Sequence, residues 1–323
     1  MEIIHILVYN MLPLIGIAAL GYWLDSMFPI DVKSLTKLTF YIILPSFIFR
    51  SIFLMPFDVG MMILFAAGAL LFLLHSLFAT GIARLRGYDS GMREAFRVGT
   101  MFSNCGNVGV SMITLIYSNP PFIKGPEAPY HDAAMAAITV LLILMNVSVN
   151  TIGLYLAGKG RMTARDAMLM VLHMPTLYVI FGVVFCKWLA LPVDTWFVWP
   201  MLSMAAKSLP FIAMVTLGIQ LHRTTLTWFN PDVWLAIFTR LILGPLFALA
   251  IIYAYGRFDP LTSQVFLIFS AVPSAVNSVM FAVDFDNYPG YATQVVMLGF
   301  VMSCFTLTSV IYLARFLFPI PMW

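Results

Sequence analysis

Between Val98 and Ile123 the chain carries no charged side chain over 26 residues, yet two Asn and two Gly sit in the middle of the run, in Ser103-Asn104-Cys105-Gly106-Asn107-Val108-Gly109. A helix of about 20 apolar residues spans the hydrocarbon layer of a bilayer, so the run is long enough to cross. Its centre is a poor continuous helix. Gly loosens the backbone, and Asn side chains compete for backbone hydrogen bonds. Non-helical backbone at membrane depth is tolerated only where protein buries it or water reaches it. Ala271-Val272-Pro273-Ser274-Ala275-Val276-Asn277 repeats the situation near the other end, where Pro273 removes a helical N–H and clashes one turn back. The two stretches read as paired breaks around one binding site.

The surrounding composition fixes the class. Of 323 residues 62% are hydrophobic and only 10% are charged, with a mean hydropathy of +0.96. Soluble domains carry about 25% charge. The chain is predicted to be an all-α polytopic membrane protein, since long apolar runs exclude the short alternating segments of a β-barrel. The net charge of +3 comes from scattered loop residues, so nucleic acid is not an expected partner. Cys105, Cys186 and Cys304 lack the spacing of a metal site or a disulfide framework, and no metal or cofactor is expected. The N-terminus lacks a basic leader, so the first apolar run is expected to be a retained helix.

Ten membrane helices are expected. They run over 4–24, 35–54, 59–83, 94–117, 132–156, 166–189, 196–220, 233–255, 261–283 and 291–318. Short-loop lysines and arginines number ten on one side and six on the other, which places the N-terminus and C-terminus outside by the positive-inside rule. Pro13 and Pro175, Pro45 and Pro210, and Asn107 and Asn277 recur at offsets of 162, 165 and 170. The chain therefore reads as two five-helix repeats, 1–156 and 157–323, the second inverted. Inverted repeats whose broken helices meet at the midplane mark secondary transporters.

The candidate site residues are Asn104, Gly106, Asn107, Gly109, Pro273, Ser274, Asn277 and Arg240, with His75 as a proton-sensitive candidate. Half-helix N-termini favour carboxylates, and Asn amides can donate to them. Each Asn could instead merely satisfy backbone in a kinked helix. Arg240 lies about 12 Å into its helix at 1.5 Å per residue. It reads either as a partner for a substrate anion or as a side chain snorkelling to an aqueous edge. His75, at the same offset of 165, is either proton-sensitive or hydrogen-bonded between helices. Asn10, Asn146, Asn150 and Gln220 read as interhelical hydrogen-bonding groups. No Asp or Glu lies near the centre of a predicted helix, which weakens a buried-acid proton relay, and no hydrolase or nucleotide-binding motif points to an enzyme.

Pro13-Leu14 through Gly21-Tyr22, Leu38-Thr39-Phe40-Tyr41-Ile42-Ile43-Leu44-Pro45 and the two break motifs resemble the auxin efflux carrier family, in its compact prokaryotic form. The resemblance implies ten helices in an inverted five-plus-five repeat, with broken helices 4 and 9 crossing. It implies a scaffold of helices 1, 2, 6 and 7 that commonly dimerises, and a transport domain of helices 3–5 and 8–10 that moves like an elevator. It also implies an organic anion as substrate, faced by Asn107 and Asn277. The expected function is a secondary transporter of a small mono- or dicarboxylate in the inner membrane, working as an efflux carrier or uniporter. The alternative is a sodium- or proton-coupled symporter resembling the bile acid symporter group.

Overall fold

The computed structural model describes residues 2–54, 59–123, 127–158, 165, 169, 172 and 175–321. Residues 55–58, the loop residues Lys124, Lys159 and Arg161, and the expected start of the sixth helix at Asp166 lie outside them. The secondary-structure elements of the described residues are helices. Seven helices are long and apolar enough to cross a membrane: α1 (Ile3–Met27), α2 (Val32–Leu54), α3 (Val59–Leu85), α6 (His131–Ala157), α8 (Val198–His222), α9 (Pro231–Tyr255) and α12 (Pro289–Leu317). The shorter helices are α4 (Ser90–Met101), α5 (Cys105–Tyr117), α7 (Pro175–Trp188), α10 (Pro260–Ser270) and α11 (Asn277–Asp284). The fourth expected helix is thus the pair α4 and α5. The ninth is the pair α10 and α11.

Side-chain caps start several of these helices. Asp31 accepts from the Lys33 N–H, Asp89 from Met92, Asn230 from Asp232 and Val233, and Asp259 from Thr262. Each satisfies a donor that the first helical turn leaves free. Pro follows the cap in α9 and α10, where its missing N–H costs nothing. Gly256 closes α9 at φ +65°.

Three of the intrahelical prolines widen their helices without breaking them. Pro13, Pro45 and Pro245 each lie two residues beyond a five-residue π-turn, at Leu7–Met11, Thr39–Ile43 and Thr239–Leu243. A proline ring pushes away the carbonyl of the preceding turn, and the wider winding relieves that clash. Two further π-turns, Cys105–Gly109 and Val149–Gly153, end in Gly.

α1 and α8 are the most closely packed pair. A Cβ on Gly218 would lie 1.8 Å from the Ala18 carbonyl oxygen, and one on Gly21 would lie 2.2 Å from the Val215 carbonyl oxygen. Only glycine lets two membrane helices touch backbone to backbone in this way. At one end of the pair the buried Asp25 carboxylate accepts from Arg223 Nε at 2.9 Å and His222 Nδ1 at 2.8 Å. Asp232 of α9 accepts from Arg86 at 2.8 Å and from the Tyr88 hydroxyl at 2.6 Å, and the Tyr288 hydroxyl donates to Asp89 at 2.6 Å. These contacts join the end of α3 and the start of α4 to the starts of α9 and α12. Large apolar side chains such as Tyr41, Met62, Leu77, Phe181 and Phe305 are exposed on the helix surfaces, as a lipid-facing belt requires.

Candidate functional site

The two breaks meet. Ser103 and Ser274 face each other in an isolated antiparallel bridge. The Asn104 N–H donates to the Pro273 carbonyl at 2.8 Å, and the Ala275 N–H donates to the Phe102 carbonyl at 2.9 Å. Each break thus supplies the backbone partners that the other lost by leaving the helix, which is how irregular backbone survives in a dry interior. Ser274 Oγ donates to the Gly99 carbonyl at the end of α4. Arg240 Nε donates to the Val272 carbonyl just past the end of α10, at 2.8 Å.

Beyond the bridge each chain turns into a new helix, and both new N-termini open on one cavity of about 90 Å³. In α5 the first N–H groups to find acceptors are those of Val108 and Gly109, both at the Asn104 carbonyl, so the N–H groups of Cys105, Gly106 and Asn107 precede the first helical bond. In α11 Ser278 bonds to the Ala275 carbonyl, and Asn277 precedes it. The cavity wall includes Ser103, Asn104, Cys105, Gly106, Asn107 and Asn277 from the breaks, Thr36 and Thr39 from α2, Asn146 from α6, and Thr216 and Gln220 from α8. Three π-turns contribute to it through Thr39 and Phe40, Cys105 to Asn107, and Val149. Among the described residues no Asp, Glu, Lys, Arg or His lines it. It has room for on the order of six to nine water-sized groups.

The side-chain amides of Asn104, Asn107 and Asn277 form no hydrogen bond with other described residues. The reading in which these amides repair kinked backbone is therefore not what the structure shows: the opposing break does that work with main-chain groups. Asn146 and Asn150 differ. Their Nδ2 atoms donate one turn back, to the Leu142 and Asn146 carbonyls at 3.2 and 2.8 Å. Ser103 Oγ and Gln220 Oε1 are buried in the wall without a partner.

The structure thus brings together Asn104, Gly106, Asn107 and Asn277. Gly109, Pro273, Ser274, Arg240 and His75 do not line the cavity. A Cβ on Gly109 would meet Val272 Cγ2 at 3.5 Å, behind the break. Pro273 and Ser274 are consumed by the bridge. Arg240 is 2% exposed, so it does not snorkel to an aqueous edge. His75 Nδ1 lies 2.9 Å from the Leu71 carbonyl, which can only accept, so Nδ1 carries the proton and Nε2 is left without a partner. The walls formed by Thr36, Thr39 and Thr216 escaped the sequence reading. Thr39 and Thr216 each donate one turn back along their own helix, to Leu35 and Ile212, and such a threonine in an apolar run looks the same whether it faces lipid or a cavity.

Seven long apolar helices and a match to a family of membrane transport proteins support an integral, multi-pass membrane protein of the transporter class. Residues 167–312 match the family described as "Membrane transport protein", that of the auxin efflux carriers and PIN-like proteins, so the resemblance read from the sequence is shown over that stretch. The matched stretch contains the second break and Arg240. A search of the curated proteins found no match.

Proposed function

We propose that the protein is a secondary transporter of a small organic anion, a mono- or dicarboxylate, bound in the cavity between the two breaks. The observation that carries this reading is the convergence of two helix N-termini and three unpartnered Asn amides on one uncharged wall. Helix N-termini attract anions, and amides that face the cavity without a partner among the described residues are donors left for a ligand.

The inverted five-plus-five repeat is supported by the bridge. Ser103 and Ser274 are 171 positions apart, whereas Asn107 and Asn277 are 170 apart. The two offsets agree to within one residue. The division into scaffold and transport domain is supported by the polar ties, which join α1 to α8 at Asp25 and join α3 and α4 to α9 and α12 at Asp232 and Asp89. On this reading α1, α2, α7 and α8 form the scaffold, the face through which two copies would pair, and the break helices ride in the moving part past the Thr36, Thr39, Thr216 and Gln220 wall. The N-out, C-out orientation in the inner membrane goes with it. An inside-negative membrane drives an anion outward by about 2.3 kcal/mol per charge per 100 mV, so efflux or uniport needs no coupling ion.

Counterflow in proteoliposomes with labelled malonate and indole-3-acetate, with and without a sodium gradient, tests the reading. Saturable, sodium-independent exchange of malonate is expected. Exchange only with sodium would replace uniport by symport, and an ohmic, unsaturable flux would make the protein a channel.

A further inference from the structure

Arg240 carries the largest of the fully buried side chains, at 2% exposure, and sits on the π-turn Thr239–Leu243. Its single hydrogen bond is the one from Nε to the Val272 carbonyl, and Nη2 has no partner. No carboxylate pairs with it among the described residues. His75 and Cys105 lie within electrostatic reach of the guanidinium. Cys105 lines the cavity. An unpaired buried charge is among the most costly features a protein interior can hold, and the partial negative end of α10 offsets about half a charge. The corresponding end of α4 is capped by neutral groups alone, the Ser274 hydroxyl and the Ala275 N–H. The second break therefore keeps a one-sided positive charge, bonded to the Val272 carbonyl a few residues before the cavity-lining Ala275, Val276 and Asn277.

We infer that Arg240 determines the specificity of the cavity without touching the substrate: its fixed positive charge behind the second break selects anions over uncharged molecules of the same shape. The inference rests on the carboxylate reading of the cavity and deepens it. A unit charge about 10 Å from an anion, at an effective dielectric constant of about 20, changes binding by on the order of tenfold. A purely mechanical role would be different: Arg240 would brace the Val272 carbonyl and affect every ligand alike.

The test measures competition by malonate and by its uncharged diamide, malonamide, against labelled malonate in proteoliposomes holding the full chain. Arg240→Gln can keep a donor for Val272 but loses the charge. Arg240→Lys keeps the charge. The expected result is that Arg240→Gln lowers the malonate-to-malonamide preference by about tenfold, while Arg240→Lys stays within about threefold of the wild type. An unchanged preference in Arg240→Gln would overturn the inference in favour of the brace. Should Arg240→Gln not fold, Arg240→Lys alone decides. Raising the pH toward the ordinary lysine range discharges the folded variant, and its preference for malonate is expected to fall while that of the wild type holds; parallel pH behaviour would overturn the inference. If the wild type binds neither compound, the carboxylate reading itself fails, and the inference with it.

Discussion

Replacing Asn107 or Asn277 by Ala separates a binding role from a structural one, because the structure predicts opposite outcomes for affinity and stability. Neither amide bonds to another described residue, so truncation removes no internal hydrogen bond and leaves no buried partner stranded. Asn277 is the first residue of α11, where Ala has the higher helix propensity. The melting temperature in detergent is therefore expected to stay put or rise slightly. Binding is another matter. A hydrogen bond to a charged group contributes about 1.5–3 kcal/mol, and 1.36 kcal/mol is tenfold in an equilibrium constant. Each single variant should bind malonate roughly ten- to a hundredfold more weakly. The double variant should lose less than the product of the two, since both amides address one ligand. Titration calorimetry gives the affinities, and a thermal melt of the same samples gives the stability. Wild-type affinity in either single variant, or a clear loss of melting temperature with affinity intact, would refute the assignment.

Two other perturbations probe the frame around the site. Gly218→Ala puts a methyl group 1.8 Å from the Ala18 carbonyl oxygen, so α1 and α8 must part; overpacking of this kind costs about 1–3 kcal/mol, seen as a lowered melting temperature, and a melt equal to that of the wild type would deny the close contact. At the N-cap of α4, the Tyr288 hydroxyl and the Met92 N–H hold the Asp89 carboxyl below its ordinary pKa. A depressed folded-state value means that the stabilisation is complete above the unfolded value of about 3.9 and is lost as pH falls through the folded one. The melting-temperature gap between wild type and Asp89→Asn should be constant above about pH 5 and close on acidification; a gap that persists at the acid end would place the effect elsewhere.

The breaks were legible in the sequence because they violate a local rule. Asn, Gly and Pro in the middle of uncharged runs cannot continue a helix cheaply, and the rule needs no tertiary knowledge. The helix starts were less legible: the expected starts at 35 and 94 fall inside helices that Asp31 and Asp89 cap and that begin at Val32 and Ser90. What one break does to the other was not legible. The Asn104 backbone N–H meets the Pro273 carbonyl across just over half the chain, and no local pattern announces such a pairing. Arg240 marks the boundary between the two kinds of knowledge. Its depth followed from counting residues, but its direction did not: Arg240 sits in the π-turn Thr239–Leu243, whose winding departs from the α-helix, and its Nε ends at the Val272 carbonyl. The α-helical count of 3.6 residues per turn does not report that departure. The seven long spans in place of ten have a simple origin. Two of the expected crossings are assembled from half-helices too short to qualify alone, and the start of a third lies outside the described residues.

Arg240 gives the proposed cycle an electrical signature. It belongs to α9, which the polar ties join to α3, α4 and α12, so on the elevator reading its charge travels with the site. A site that carries one fixed positive charge is neutral when loaded with a monovalent anion and positive when empty. At an inside-negative potential the empty form is drawn to the inward-facing state, where it loads. The neutral loaded form crosses without electrical work, and the empty form returns inward down the field. Each turn moves one negative charge out, with at most about 2.3 kcal/mol per 100 mV available to drive it. Two assays on the same proteoliposomes check the sign. One-for-one exchange of a monocarboxylate, which cycles only the loaded form, should be indifferent to an imposed potassium–valinomycin potential. Net efflux, which includes the empty return, should accelerate when the inside is made negative. In Arg240→Gln the charge moves to the loaded step, so exchange becomes the voltage-sensitive process. Voltage-sensitive exchange in the wild type would show that the charge does not travel with the substrate, and would place α9 in the stationary part of the molecule.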